Sequence, residues 1–185
     1  MSNFPVHSRE SAPEASHATL DAVASMFGFV PNLLGVMATS PALAEAYVAL
    51  SGIFEKSGLT PTERQVVLLT VSHFHECRYC MAAHSMIADM QQVPVDVVKA
   101  IRTDSPITDA KLEALRLYVK RLIEQRGWMN EAEMNEFLAA GYEPSHALDV
   151  LVGIGQKTLS NFTNHIANTP VDTAFEKHTW SPETK

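Results

Sequence analysis

The chain has 185 residues, 46% of them hydrophobic and 19% charged, with 14 basic against 21 acidic side chains and a formal charge of −7. That length suits one globular unit (1–185) that buries its own core, so it needs neither a disulfide framework nor a structural metal merely to fold. The acidic balance, with no Lys/Arg run longer than two, excludes a surface that tracks nucleic-acid phosphates. No segment approaches the roughly 18 apolar residues of a membrane span, and the first residues lack the charged and apolar regions of a secretion signal. The expectation is a cytoplasmic protein with no nucleic-acid or membrane partner.

Apolar residues recur at spacings of three and four and never alternate for long, which predicts an all-α protein. Residues 1–15 read as an arm. A first helix is expected over 16–27, with Leu20, Val23, Ala24 and Phe27 on one face, interrupted by Gly28 to Asn32. A second follows Pro41, carries Leu43, Tyr47, Leu50 and Phe54, and ends at Gly58 as a C-cap. Thr60, Pro61 and Glu63 supply the N-cap, first position and capping-box partner of a third.

From Thr62 to Val93 there is neither Gly nor Pro. The pattern there fits one long helix or two that meet near His75 and Glu76. Val66 to Phe74 are apolar nearly all round, which implies a buried central helix. Further helices are expected over 94–102, 108–126, 131–140 and 145–167, with Asn130 and Glu133 as a second capping box. Trp128 reads as an interhelical anchor, and Met81, Met86 and Met90 as core filler. Asn164 and His165 read as helix C-terminal capping and subunit contact. Residues 170–185 read as a tail outside the core, of the kind that docks on a neighbouring subunit.

The segment 73–84 holds three of the eight histidines and both cysteines. A disulfide closing the short loop Cys77-Arg78-Tyr79-Cys80 removes only about 2 kcal/mol from the unfolded state, so redox or metal chemistry explains the spacing better than stability does. On a helix, Cys77, Cys80 and His84 share a face, and His84 one turn beyond Cys80 is positioned to take or share the thiol proton. A helix starting near Cys77 adds the positive end of its dipole, against which Glu76 works. One thiolate then attacks an oxidant and the other cysteine resolves the sulfenic acid. Two other readings stand beside this one. The cysteines are simply small buried residues, or His73, Cys77, Cys80 and His84 bind zinc, although one unbroken helix would spread residues 73 and 84 over about 16 Å.

Leu59-Thr60-Pro61-Thr62-Glu63-Arg64-Gln65-Val66-Val67-Leu68-Leu69-Thr70-Val71-Ser72 followed by Cys77-x-x-Cys80-x-x-x-His84 resembles the alkylhydroperoxidase D-like, or carboxymuconolactone decarboxylase-like, family in its peroxidase-related branch. Pro31-Asn32-Leu33-Leu34 upstream and Asn161-x-x-Asn164-His165-x-x-Asn168-Thr169-Pro170-x-Asp172 downstream are similar too. The resemblance implies an all-α helical bundle, oligomeric, acting as a thiol peroxidase. In it Cys80 attacks hydroperoxide, Cys77 resolves, and His84 belongs to a proton relay, with a dithiol or lipoyl-type reductant and no cofactor or metal. The family's glutamate twelve residues before the first cysteine is Gln65 here; an amide can orient water or His84 but carries no proton. Gln65 and His73 are therefore only candidate relay residues.

Carboxymuconolactone decarboxylase members act without a cysteine pair, which leaves decarboxylation as an alternative beside a zinc-binding or purely structural helical oligomer. Long apolar stripes on several short helices also point to a homo-oligomer.

Overall fold

The computed structural model describes residues 4–182, and among them lie nine α-helices and no strand. The helices are α1 (His17–Phe27), α2 (Asn32–Met37), α3 (Pro41–Phe54), α4 (Pro61–Phe74), α5 (Arg78–Met90), α6 (Val95–Arg102), α7 (Ala110–Glu124), α8 (Glu131–Ala139) and α9 (Pro144–Ala167). Short 3-10 turns occupy Glu14–Ser16 and Thr173–His178. The central helix is α4, which packs against α5, α6, α7 and α9, as its continuous apolar run requires. Val66, Val67, Leu69 and Val71 on it have no exposed surface. The Thr60–Glu63 and Asn130–Glu133 capping boxes both form.

Two helices, rather than one, fill the stretch without Gly or Pro. Helix α4 ends in a Schellman motif, in which the Glu76 N–H donates to the His73 carbonyl at 2.9 Å and the Cys77 N–H to the Ser72 carbonyl at 2.9 Å. This closure needs a left-handed residue, and Glu76 takes that role with φ 54°. A glutamate pays for that conformation with about 1 kcal/mol or more, where glycine would fit freely. The chain turns at once into α5, with Cys77 as its N-cap.

Several expectations are corrected. Gly28 to Asn32 is not merely an interruption, because α2 begins at Asn32 and buries Leu33, Leu34, Val36 and Met37. Helix α3 stops at Phe54 rather than at Gly58, whose amide is instead tied to the Asp149 carboxylate at 2.9 Å. Trp128 anchors nothing in this chain, being 85% exposed. Of the three methionines, Met81 is in the core, whereas Met90 is exposed.

Neither terminal segment hangs free of its own chain. The His7 amide donates to the Gly35 carbonyl at 3.1 Å, and a Cβ at Gly35 would lie 2.8 Å from the His7 carbonyl oxygen. After α9 the tail folds back onto α5. There Phe175 is buried, the Asp172 carboxylate accepts from the Tyr79 hydroxyl and the Asn32 amide, and Trp180 donates its indole N–H to the Arg102 carbonyl at 2.9 Å. Residues 183–185 of the expected tail, and 1–3 of the arm, lie outside the described residues.

Candidate active site

Starting α5 at Cys77 sets the geometry of the pair. Cys77 is the N-cap and Cys80 the third helical position, so both sulfurs sit at the positive end of a 13-residue helix. They lie 3.4 Å apart and are not bridged. Ala82, Ala83, Tyr79 and Phe175 enclose them together with side chains of α1 and α2.

Opposite stands α9, which turns one stripe of polar side chains inward: Gln156, Lys157, Ser160, Asn161 and Asn164, all buried. The spacing of three and four puts them on one helical face. Asn164 Nδ2 donates to Cys80 Sγ at 3.3 Å and reaches Cys77 Sγ at 3.7 Å. Ser160 Oγ lies 3.7 Å from Cys80 Sγ. Lys157 is fully buried, and its ammonium has no hydrogen-bond acceptor at contact geometry.

These neighbours separate the two thiols electrostatically. Burial works against a Cys80 thiolate, but the hydrogen bond from Cys77, the Lys157 ammonium and the Ser160 hydroxyl outweigh it, so its pKa falls well below the ordinary thiol value. Cys77 moves the opposite way, because its proton is held by Cys80 and burial penalises its charge. Lys157 in turn is burdened by burial, but the field of Cys80 keeps it protonated. The surroundings therefore favour charge on Cys80 and a retained proton on Cys77.

His84 follows Cys80 by one turn, yet no hydrogen bond joins them among the described residues. Its Nδ1 faces Gln65 Oε1 at 3.1 Å, and Gln65 Nε2 donates to Gln91 Oε1 at 3.1 Å. With Gln65 so oriented its carbonyl accepts Nδ1–H, which leaves Nε2 as the basic nitrogen. Burial and the charge of Lys157 hold the imidazole well below its usual pKa, so it is neutral. The structure thus brings Cys77, Cys80, His84 and Gln65 into one neighbourhood and leaves out His73. That ring packs on Trp180, with centroids 5.2 Å apart, in a separate cleft of about 430 Å³ that Arg116, Lys120 and Asp104 also line.

The four zinc donors considered in the sequence, His73, Cys77, Cys80 and His84, do not converge. Among the described residues no three His, Cys, Asp or Glu side chains could hold one metal ion. The residues under-read in the sequence are those of α9. Asn164, expected to be a cap, touches both sulfurs, and the helix is closed by left-handed Asn168 instead. Lys157 carries no motif; its one signal is a lysine on the inward, otherwise uncharged stripe of a long helix.

Residues 41–118 match the carboxymuconolactone decarboxylase family, a span that contains α3 to α6 and both cysteines. The fold is also that of the alkylhydroperoxidase D core of an uncharacterized peroxidase-related protein from Ralstonia eutropha JMP134, with TM-score 0.80, 21% identity and 94% of each chain covered. The chain thus has the alkylhydroperoxidase D-like fold, and its residues 41–118 are similar to the carboxymuconolactone decarboxylase family. A second peroxidase-related protein of this alkylhydroperoxidase D-like architecture, from Silicibacter sp. TM1040, superposes with TM-score 0.78 at 16% identity, covering 94% of this chain and 92% of that one. The debrominase Bmp8, in a cysteine-to-alanine form bound to 2,3,4-tribromopyrrole, gives TM-score 0.76 at 19% identity with 96% of each chain covered. No curated protein matches in sequence. Among the described residues no helix is long and apolar enough to cross a membrane.

Proposed function

We propose that this alkylhydroperoxidase D-like protein is a cytoplasmic thiol peroxidase, with Cys80 as peroxidatic and Cys77 as resolving cysteine. The asymmetry of the pair carries this reading: two unbridged sulfurs 3.4 Å apart, of which Cys80 alone is contacted by Ser160 and is the nearer to the Asn164 amide, so that its surroundings lower its pKa while those of Cys77 raise it. The Cys80 thiolate attacks the terminal oxygen of a hydroperoxide, the O–O bond breaks, and alkoxide leaves as the sulfur becomes a sulfenic acid. Cys77 then attacks that sulfur, water leaves, and a disulfide forms. A dithiol or lipoyl-type reductant restores both cysteines by exchange. His84 is a neutral base beside the pair, oriented by Gln65, and passes protons within the site.

We further propose that the protein self-associates. Leu148, Leu151, Phe162 and Ile166 are exposed along the outer face of α9, beside exposed Phe74. We assign that stripe to contact with further copies of the chain.

The test is peroxide consumption with a dithiol reductant. Wild type is expected to turn over and to lose both titratable thiols after one equivalent of peroxide. Cys80→Ser should be inactive, and Cys77→Ser should stop after one turnover as a sulfenic acid. Full turnover by Cys80→Ser overturns the assignment.

A further inference from the structure

Lys157 is a fully buried cation that the mechanism above does not employ, and among the described residues no ion pair accompanies it as one does buried Glu63 and Arg116. Its side chain has no exposed surface and its ammonium no hydrogen-bond acceptor among the described residues. A buried ammonium with no anion loses its hydration without compensation and gives up its proton instead. Among the described residues no carboxylate is paired with it. The titratable groups whose charge bears on it are Tyr47 of α3, His75 at the C-cap of α4, Cys77 at the N-cap of α5, and Cys80 and His84 of α5. Burial keeps Tyr47 protonated, neither imidazole can be an anion, and Cys77 is the thiol of its pair.

Only Cys80 remains. Lys157 stands on α9 one turn before Ser160 and two before Asn164, both of which touch the Cys80 sulfur. Gln156 Oε1, Asn161 Nδ2 and Asn164 Oδ1 on the same stripe are buried without hydrogen-bond partners among the described residues. They leave a donor and two acceptors unused on the helix face that brings Ser160 and Asn164 to the sulfur.

We propose that Lys157 is the counterion of the Cys80 thiolate and the acid that protonates the leaving alkoxide, a role that rests on the peroxidase reading. When the thiolate takes the terminal hydroxyl of the hydroperoxide, the alkoxide leaves with the electron pair of the broken O–O bond. It takes one proton from the Lys157 ammonium and departs as alcohol. A neutral sulfenic acid then faces a neutral amine, so both buried charges vanish together. Cys77 supplies its thiol proton to the water released on disulfide formation. In the reductive half, a dithiol delivers two electrons and two protons: one proton returns to Cys77 and the other to Lys157, while Cys80 is released as thiolate.

The experiment measures the pH profile of Cys80 alkylation by iodoacetamide, with Cys77→Ser as background, alongside single-turnover reduction of cumene hydroperoxide. Lys157→Met should slow alkylation at pH 7 at least tenfold and shift its profile to higher pH. Lys157→Arg should restore alkylation, because its charge is kept, yet reduce peroxide at least tenfold more slowly, because guanidinium does not release its proton. An unchanged alkylation profile in Lys157→Met overturns the ion pair, and full peroxide turnover by Lys157→Arg overturns the acid role.

Should Lys157→Met not fold, the ¹³Cε resonance of Lys157 in wild type and Cys80→Ser decides the same point. Loss of the lysine charge at neutral pH is expected when the thiolate is gone, and an unchanged titration refutes the pairing. Alkylation and NMR do not depend on peroxidase activity. A wild type that shows the ion pair but consumes no peroxide overturns the peroxidase reading and leaves the pairing standing.

Discussion

Asn164 divides one amide nitrogen between two sulfurs, 3.3 Å from Cys80 and 3.7 Å from Cys77. The shorter contact falls on the thiolate, so the amide stabilises the charged form of the pair. Asn164→Asp exchanges a donor for a negative charge of nearly the same shape. The expected outcome is a rise of about one pH unit or more in the Cys80 alkylation midpoint, equivalent to about 1.4 kcal/mol, with unchanged helix content by circular dichroism. A midpoint that does not move would show that the contact is packing alone.

At Gly153, α9 packs tightly against α3 and α4. A Cβ there would lie 2.8 Å from both Phe54 and Val67 side chains, which are buried and have no room to retreat. Gly153→Ala should cost about 1–3 kcal/mol in urea unfolding despite the gain in helix propensity. Because the contact sets how deeply α9 sits one turn before Lys157, the variant should also slow Cys80 alkylation.

His84 predicts a pH dependence of stability. Its folded pKa is depressed, first by burial and then by Lys157, whereas the unfolded ring titrates near 6.5. Folding is thus unaffected by it above that value. Below about pH 6.5 the unfolded chain binds a proton that the native site refuses, and stability falls at up to about 1.4 kcal/mol per pH unit until the folded pKa is reached. His73 and His75 are shifted the same way by burial and add to the slope. His84→Gln should make the acid limb of a stability profile measurably shallower; an equal slope would show that His84 is protonated in the fold. Gln65→Glu sets a carboxylate beside Nδ1 and should likewise flatten it.

Glu76 gives a prediction of opposite sign. With φ 54° in the Schellman closure, it is an exposed residue in a conformation that suits glycine. Glu76→Gly should stabilise the protein by about 1 kcal/mol in urea unfolding, and remove a negative charge from the start of α5. A loss of stability would show that the glutamate side chain contributes more than its backbone costs.

The same residue shows where the sequence could be read and where it could not. Capping boxes at Thr60 and Asn130 are short-range chemistry and appear in the fold as expected. The break between α4 and α5 leaves no Gly or Pro behind, because a glutamate performs the turn, so periodicity alone could not choose one helix or two. Cys77, Cys80 and His84 were found through local spacing. Their true partners on α9 are about 80 residues away in sequence, with Asn164 84 positions beyond Cys80, and only tertiary packing brings them in. The tail misled for a related reason. Its polar composition resembles a free arm, whereas three anchors, Asp172, Phe175 and Trp180, fasten it.

Those anchors bear on how the protein is made. Asp172 and Phe175 follow all nine helices in the chain, yet the first binds Tyr79 and the second closes the apolar shell around both cysteines. On a ribosome, α5 emerges long before that closure can form. The thiols of a nascent chain are therefore open to stray oxidation until translation has passed the segment that seals them.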